Sequence, residues 1–369
     1  MRVLSLDLQD FRNYASLSLQ LHEGINVVYG ANAQGTTNIL EAVYLTGTTR
    51  SHRGAKDRDM IRKGADEAHL RTQIVTAGGR YRIDLHLKKA GSKGIAIDLL
   101  PVKKAGDLLA LTKMVFFSPE DLQIIKTGPA VRRRFLNQEM SRIDRIHLAQ
   151  LLEYNRALAQ RNKLLKDYSG RSGFEDELDL WDAQLVRTGE KIIAQREAFI
   201  RKMSVTAAGI HTSLTGGTET LSLVYEPSVS AAAFSRELAL ARDRDIRLKE
   251  TTVGPHRDDM GVFLEAGQES SPAGKMDARI YGSQGQQRTA ALSLKLAEIE
   301  MIRSETGETP VLLLDDVLSE LDEQRQAHLL KSIRGVQTLI TCTGLADLAD
   351  RGFAADRMFY VENGTVRTQ

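Results

Sequence analysis

Residues 25–37 read INVVYGANAQGTT, an apolar run that passes straight into a glycine-containing loop. A short, continuously apolar strand is one buried on both faces, as in a parallel sheet covered by helices. The loop GANAQGTT (30–37) agrees with the phosphate-binding pattern GxxxxGK[ST] at Gly30, Gly35 and Thr37. Such a loop holds phosphates with backbone N–H groups and the N-terminus of the next helix, and NILEAVYLT (38–46) supplies that helix. Gly30, Ala31, Asn32, Ala33, Gln34, Gly35, Thr36 and Thr37 are therefore candidate nucleotide-binding residues, and the Thr37 hydroxyl is a candidate Mg²⁺ ligand. One position departs from the pattern. Thr36 stands where the pattern has the lysine that reaches the β- and γ-phosphates.

The alternative, a glycine turn that binds nothing, is opposed by two partner motifs. VLLLDD (311–316) is a buried strand ending in acids, which presents carboxylates at the sheet edge where nucleotides bind. Asp315 is the candidate Mg²⁺ ligand, and Asp316 is placed to polarise an attacking water. YGSQGQQRT (281–289) runs into a helical pattern, so Ser283 and Gly285 sit at a helix N-terminus, again an anion site. ATP and Mg²⁺ are the expected cofactors.

Along the chain, residues 2–8 and 16–21 alternate apolar and polar as half-buried strands do, and residues 72–76 and 81–87 form a hairpin through Gly78 and Gly79. From about residue 130 to 250 the pattern is helical. Leu148, Leu151, Asn155, Leu158, Asn162 and Leu165 form one stripe, and Trp181, Leu185, Thr188, Ile192 and Phe199 nearly repeat it. A loop, DYSGRSGFEDE (167–177), separates them, which reads as an antiparallel helical hairpin, with a plain helical subdomain as the alternative. The α/β pattern returns after residue 250, with VQTLIT (336–341) as a further strand. The expected division is 1–120, an N-terminal lobe with the phosphate loop; 121–250, a helical arm; and 251–369, the remainder of the α/β part.

Composition excludes little. The chain has 369 residues, 42% of them hydrophobic, and a net charge of +2, so any nucleic-acid surface must be a local patch. Its single cysteine, Cys342, lies in an apolar run and is expected to be a buried core thiol; it rules out a cysteine zinc site and an intramolecular disulfide, and argues for the cytoplasm. No stretch has the length of a signal peptide or a membrane span.

SxGQQ at 283–287 resembles the signature motif of ABC-type ATPases, and SELD (319–322) their D-loop. In that class the signature motif of one subunit completes the phosphate site of the other. About 280 residues separate the phosphate loop from the paired acids, and a helical insertion between the two halves resembles the SMC-like branch. FFSPEDLQIIKTGPAVRRRFLN (116–137), VGPHRDD (253–259), FRNY (11–14) and TRSHRGAKDRDMI (49–61) look like the signature stretches of the RecF family of bacterial recombination and repair proteins, in the correct order over essentially the whole chain.

The resemblance implies an α/β fold, a two-lobed ABC-type P-loop ATPase head with an inserted helical arm. It implies a weak, DNA-stimulated ATPase that binds ATP and DNA, dimerises with ATP, and works with RecO and RecR to load RecA at gaps in repair, replication maintenance and the SOS response. Carried onto this chain, residues 30–37 hold the triphosphate, Thr37 and Asp315 hold Mg²⁺, Asp316 is the base, and Ser283, Gly285 and Gln286 act in trans. Arg12 and Asn13 follow the first strand, where SMC-like heads place residues near the nucleotide. His256 is a candidate support for the site, with a structural role as the alternative.

Threonine at 36 cannot act as a point charge on the phosphates. By analogy with losing one preorganised donor, the transition state loses roughly 3–4 kcal/mol, a few hundred-fold in rate, so this chain is expected to be deficient in hydrolysis. TCTG (341–344) also lacks the histidine that many ABC ATPases carry there, with Thr341 or Thr343 as the substitute. For DNA, basic residues crowd 50–63, including Arg50, His52, Arg53 and Lys56; Arg132, Arg133 and Arg134 form a second cluster with Arg142 and Arg145. Such clusters make salt-dependent phosphate contacts. Few aromatics accompany them, favouring duplex or junction over single-strand stacking. Two other readings compete: a nucleotide-independent scaffold for DNA or partner proteins with a vestigial loop, and a transporter subunit, for which the long insertion and the lack of a membrane segment are wrong.

Overall fold

A computed structural model describes residues 1–103, 105–167, 173–266, 274–344 and 355–368. The chain forms two compact units, Met1–Asp121 with Glu298–Gln369, and Leu122–Ala297. Residues 251–297, grouped by sequence with the C-terminal part, thus pack in the same unit as the arm helices.

The first unit holds two six-stranded sheets. One is antiparallel throughout, in the order Tyr14–Gln20, Arg2–Phe11, Glu67–Thr76, Gly79–Lys88, Gly94–Ile97, Leu100–Pro101. The alternating pattern of Arg2–Phe11 and the expected hairpin are both realised here, with Ile74 opposite Tyr81 and Leu70 opposite Leu85. The other sheet runs Thr365–Thr368, Arg357–Glu362, Ile25–Tyr29, Thr338–Cys342, Val311–Asp315, Met114–Phe117, parallel except at its first pair. The apolar run 25–29 is therefore an interior strand, which is why it shows no alternation. The helix Thr36–Thr48 is buried along Ile39–Gly47. Its residues Ile39, Leu40 and Leu45 share one core with Val3, Leu6 and Phe11 of one sheet and Val28, Leu313 and Leu339 of the other.

The second unit combines the helices Pro129–Ile143, Arg145–Lys166 and Phe174–Leu214 with a three-stranded antiparallel sheet, Met276–Asp277, Asp259–Ala266, Glu219–Glu226. The two long helices run antiparallel: His147 Nδ1 lies 2.7 Å from Gln195 Oε1, and Arg161 pairs with Asp182. The loop at 168–172 lies outside the described residues. The buried face of Arg145–Lys166 is His147, Leu151, Tyr154, Ala157, Arg161, Leu164 and Leu165. This corrects the expected stripe. Asn155 is exposed, and Tyr154 and Arg161 occupy the positions facing inward. The reason is chemical: the Arg161 guanidinium is fully buried against Asp182, Asp245 and Thr251. A stripe of apolar residues alone cannot reveal a face built around a buried cation.

Candidate nucleotide site

The parallel sheet aligns the ends of three strands. Cys342 is in register with Tyr29, and Thr341 with both Val28 and Asp315. The loop after Tyr29 and the acids at 315–316 consequently meet at one sheet edge. Gly30 N–H donates to the Cys342 carbonyl at 3.3 Å, and a Cβ on Gly30 would come within 2.3 Å of the Val361 carbonyl oxygen. Gly35 has φ 114°, a left-handed conformation that favours glycine, and it starts the helix without a capping side chain. The first-turn N–H groups of that helix are therefore available to an anion. Cys342, expected to be a core thiol, is only half-buried at this edge.

Thr37, Asp315 and Asp316 are brought together as expected. The Thr37 side chain hydrogen-bonds Asp315. Thr341 Oγ1 donates to Asp315 Oδ1 at 2.8 Å and accepts from the Asp316 N–H at 2.9 Å. Thr341 is thus the residue that braces the paired acids, whereas Thr343 is exposed. Burial pushes the Asp315 carboxyl above its ordinary range, opposed by the hydrogen bonds from Thr37 and Thr341 and by the charge of Arg53. A hydroxyl and a nearly buried carboxylate side by side are a donor set suited to Mg²⁺, which takes oxygen ligands and keeps several waters. Asp316 is exposed, with φ 52°, a conformation uncommon outside glycine but tolerated by Asp. Thr36, half-buried, occupies the first position of the helix.

FRNY (11–14) supports this loop in a way the sequence did not disclose. Asn13 Nδ2 donates to the Gln34 carbonyl at 2.7 Å, Asn13 Oδ1 accepts from Asn38 Nδ2 at 2.9 Å, and the Tyr14 hydroxyl donates to the Gly35 carbonyl at 2.9 Å. Asn13 is a prop of the loop. Arg12, expected near the nucleotide, forms two 2.8 Å hydrogen bonds to the fully buried carboxylate of Glu41, on the helix that follows the loop, and a third to the Asp59 carbonyl. Burial alone would raise the Glu41 pKa, but Arg12 and Ser51 hold it below its ordinary value. The buried Glu41 is what demands the arginine.

Ser283, Gly285 and Gln286 belong to the second unit. The Gln286 N–H donates to Ser283 Oγ at 3.2 Å, and the Ser283 N–H to Gln286 Oε1 at 2.8 Å. This is a reciprocal capping box at the start of Gln284–Thr306. Gln286 also donates to Glu219 at 2.6 Å, so its side chain is held inside its own unit. Ser283 and Gln284 are exposed.

The basic clusters divide. Arg50, Arg53, Lys56 and Arg134 are exposed. Arg132 is 4% exposed and bidentate with Asp259, and Arg142 is buried against Glu139. Arg132 is thereby corrected as a DNA contact, because its charge is neutralised inside the unit. Arg133, half-buried, donates to the Asp258 carbonyl at 2.8 Å. His52 stacks on Phe116 with ring centroids 3.8 Å apart, and burial pushes it down to about 4, so it carries no charge near neutral pH. His256 is structural: one ring nitrogen meets the Tyr154 hydroxyl at 2.7 Å and the other the Thr251 carbonyl at 2.9 Å.

A parallel sheet with a phosphate loop, braced acids at its edge and an added antiparallel sheet defines an ABC-type ATPase head of the SMC-like kind. The family model described as RecF/RecN/SMC N terminal domain matches residues 2–366. The chain is 50% identical over 366 residues, 99% of each chain, to the DNA replication and repair protein RecF of Agathobacter rectalis, and 49% identical over 368 residues, again 99% of each, to that of Lachnospira eligens. A solved structure of the recombination mediator protein RecF, as RecF-ATP in the RecFOR pathway, aligns with a TM-score of 0.89 at 33% identity, covering 100% of this chain and 97% of that one. An Smc head bound to the C-winged helix domain of ScpA aligns at 0.59 and 15% identity, covering 100% and 97%, which shows a shared fold. The chain belongs to the RecF family. Among the described residues, no helix is long and apolar enough to cross a membrane.

Proposed function

We propose that this chain is an ATP-responsive DNA-binding protein of recombinational repair, working in the cytoplasm. ATP binds at residues 30–37, and Mg²⁺ is held by Thr37 and Asp315, with Asp316 orienting the attacking water. The observation that carries this reading is the Thr37–Asp315–Thr341 arrangement at the end of the loop strand. A decayed site has no reason to keep a nearly buried carboxylate whose burial is unfavourable unless a cation compensates it. Ser283, Gly285 and Gln286 act on the ATP of a second copy, so that ATP favours a homodimer. Arg50, Arg53, Lys56 and Arg134 contact duplex or junction phosphates, and Arg133 contributes with its remaining donors. With RecO and RecR, the dimer helps load RecA at gaps, which places it in DNA repair, replication and the SOS response. Thr36 supplies no charge to the γ-phosphate, so ATP binding is weakened and hydrolysis is impaired. The absent lysine favours one other reading, a nucleotide-independent scaffold for DNA and partner proteins.

ATP turnover and ATP-dependent dimerisation, with and without duplex DNA, compared between this chain and its Thr36→Lys variant, test the proposal. DNA-stimulated turnover a few hundred-fold greater in the lysine form is expected. Equal turnover in the two forms sinks the assigned consequence of Thr36. Absence of both turnover and ATP-dependent dimerisation in the two forms favours the scaffold.

A further inference from the structure

In the first unit, among residues outside the nucleotide motifs, Glu67, His69 and His86 bring three ligand atoms within 4.8 Å of one another. Strand geometry puts them there. Residues 67 and 69 are two apart, so they share a face, and His69 stands directly opposite His86 in the antiparallel register. The two imidazoles stack with centroids 4.1 Å apart and 20° between their planes. His86 Nε2 is 2.7 Å from Glu67 Oε2, and His69 Nε2 is 3.9 Å from the same oxygen. The next cross-strand pair, Arg71 and Asp84, is closed by a 2.9 Å ion pair, and Asp84 also takes Arg82 at 2.7 Å. The neighbouring cations are thus engaged with a carboxylate rather than with Glu67. Both histidines border a groove of about 720 Å³.

A hydrogen bond between Glu67 and His86 accounts for two of the three residues. It does not account for a second imidazole presented to the same carboxylate oxygen. Zinc bonds to His nitrogen and carboxylate oxygen span about 2.0–2.2 Å, which sets tetrahedral ligand atoms roughly 3.3 Å apart. The observed 2.7 and 3.9 Å lie on either side of that spacing. Two imidazoles and a carboxylate suit Zn²⁺ and its transition-metal neighbours, whereas Mg²⁺ and Ca²⁺ take oxygen sets. His69 and Glu67 are exposed, so a fourth position remains open to water.

We infer that Glu67, His69 and His86 form a Zn²⁺ site that clasps the strands Glu67–Thr76 and Gly79–Lys88. The metal bridges the hairpin across its non-covalent register.

The full chain, stripped of metal, is titrated with Zn²⁺ by calorimetry, and its thermal midpoint is read with and without the ion. One saturable equivalent is expected, together with a Zn²⁺-dependent rise in Tm, since a ligand that binds only the folded state stabilises it. His69→Ala, His86→Ala and Glu67→Gln each weaken binding at least about tenfold and abolish the Tm rise. His22→Ala is the control. His22 lies 3.7 Å from Asp356 as an exposed two-ligand pair, and its removal leaves the strong equivalent in place. Glu67 and His69 are exposed and His86 is half-buried, and circular dichroism checks that the variants fold. No saturable uptake by the unmodified chain, or uptake unchanged in the folded variants, overturns the site.

Discussion

Arg132 grips Asp259 through two parallel hydrogen bonds, Nε to Oδ1 and Nη2 to Oδ2, each 2.7 Å long. The pair joins two stretches, RRRFLN and HRDD, that look in sequence like a DNA surface and a separate motif. Arg196, 2% exposed, binds the adjacent Asp258 at 2.8 Å, and Tyr225 donates to that same carboxylate. The cluster thus holds the helices Pro129–Ile143 and Phe174–Leu214 to the strand Asp259–Ala266. Asp259→Ala leaves Arg132 buried without its partner, and the expected loss is about 3 kcal/mol, read from urea unfolding. Arg134→Ala, at an exposed neighbour, is expected to leave stability unchanged and to lower the salt slope of duplex binding by about one. An unaltered unfolding midpoint in Asp259→Ala would falsify the structural assignment.

The phosphate loop depends on Asn13, which joins Gln34 on one side and Asn38 on the other. Asn13→Ala removes both links while leaving the Tyr14–Gly35 bond. A net loss of about 1–1.5 kcal/mol is expected, seen as roughly a tenfold weaker ATP affinity by calorimetry. Gln34→Ala takes away the side chain that accepts from the Asn363 N–H at 2.6 Å and loosens the loop from its other side. If ATP affinity is the same in Asn13→Ala, the residue does not preorganise the loop.

Three histidines make the fold acid-sensitive before the carboxylates do. Burial lowers His52 to about 4, and lowers His147 and His256 as well. A depressed histidine binds fewer protons folded than unfolded, so stability rises with pH through this window. The contribution is complete above the unfolded value near 6.5 and declines as pH falls toward the folded value, which for His52 is about 4. Unfolding free energies measured between pH 8 and pH 5 should therefore drop below about pH 6.5. In His52→Leu the drop should be shallower. A profile that is flat from pH 7 to pH 5 is the contrary result.

How far residues announced their structure varied with the kind of interaction they make. The run 25–29, the loop after it and VLLLDD were legible because backbone conformation and burial on both faces dictate residue type locally. The signature stretch was legible as a helix start, and its Ser283–Gln286 capping box follows a spacing rule. The partners of Arg12 and the burial of Arg132 were hidden for one physical reason. A charged side chain looks the same in sequence whether it faces water or a buried carboxylate, and Glu41 and Asp259 lie 29 and 127 positions away. The Glu67–His69–His86 cluster was invisible for a related reason, since only strand register places residue 86 opposite residue 69. Thr341 was legible as a candidate and ambiguous with Thr343, because alternation gives residues two apart the same face, and only the register of Thr341 with Asp315 and the end of the strand at Cys342 decide which hydroxyl reaches the carboxylate.

Thr341 offers the sharpest separation of support from fold. It is 2% exposed, and its hydroxyl both donates to Asp315 and accepts from the Asp316 backbone. Thr341→Val keeps the shape and strand preference but removes both bonds. Asp315 then keeps only the Thr37 contact and loses a fixed orientation, so a metal held by these two residues should bind about 10–100-fold more weakly. The measurement is ATP affinity as a function of Mg²⁺ concentration, which does not require turnover from a chain lacking the loop lysine. The Mg²⁺ dependence should move to higher concentration while ATP affinity without Mg²⁺ stays the same. Equal weakening with and without Mg²⁺ would mean that Thr341 supports the loop as a whole, and an unchanged Mg²⁺ dependence would remove Asp315 from the metal's ligands.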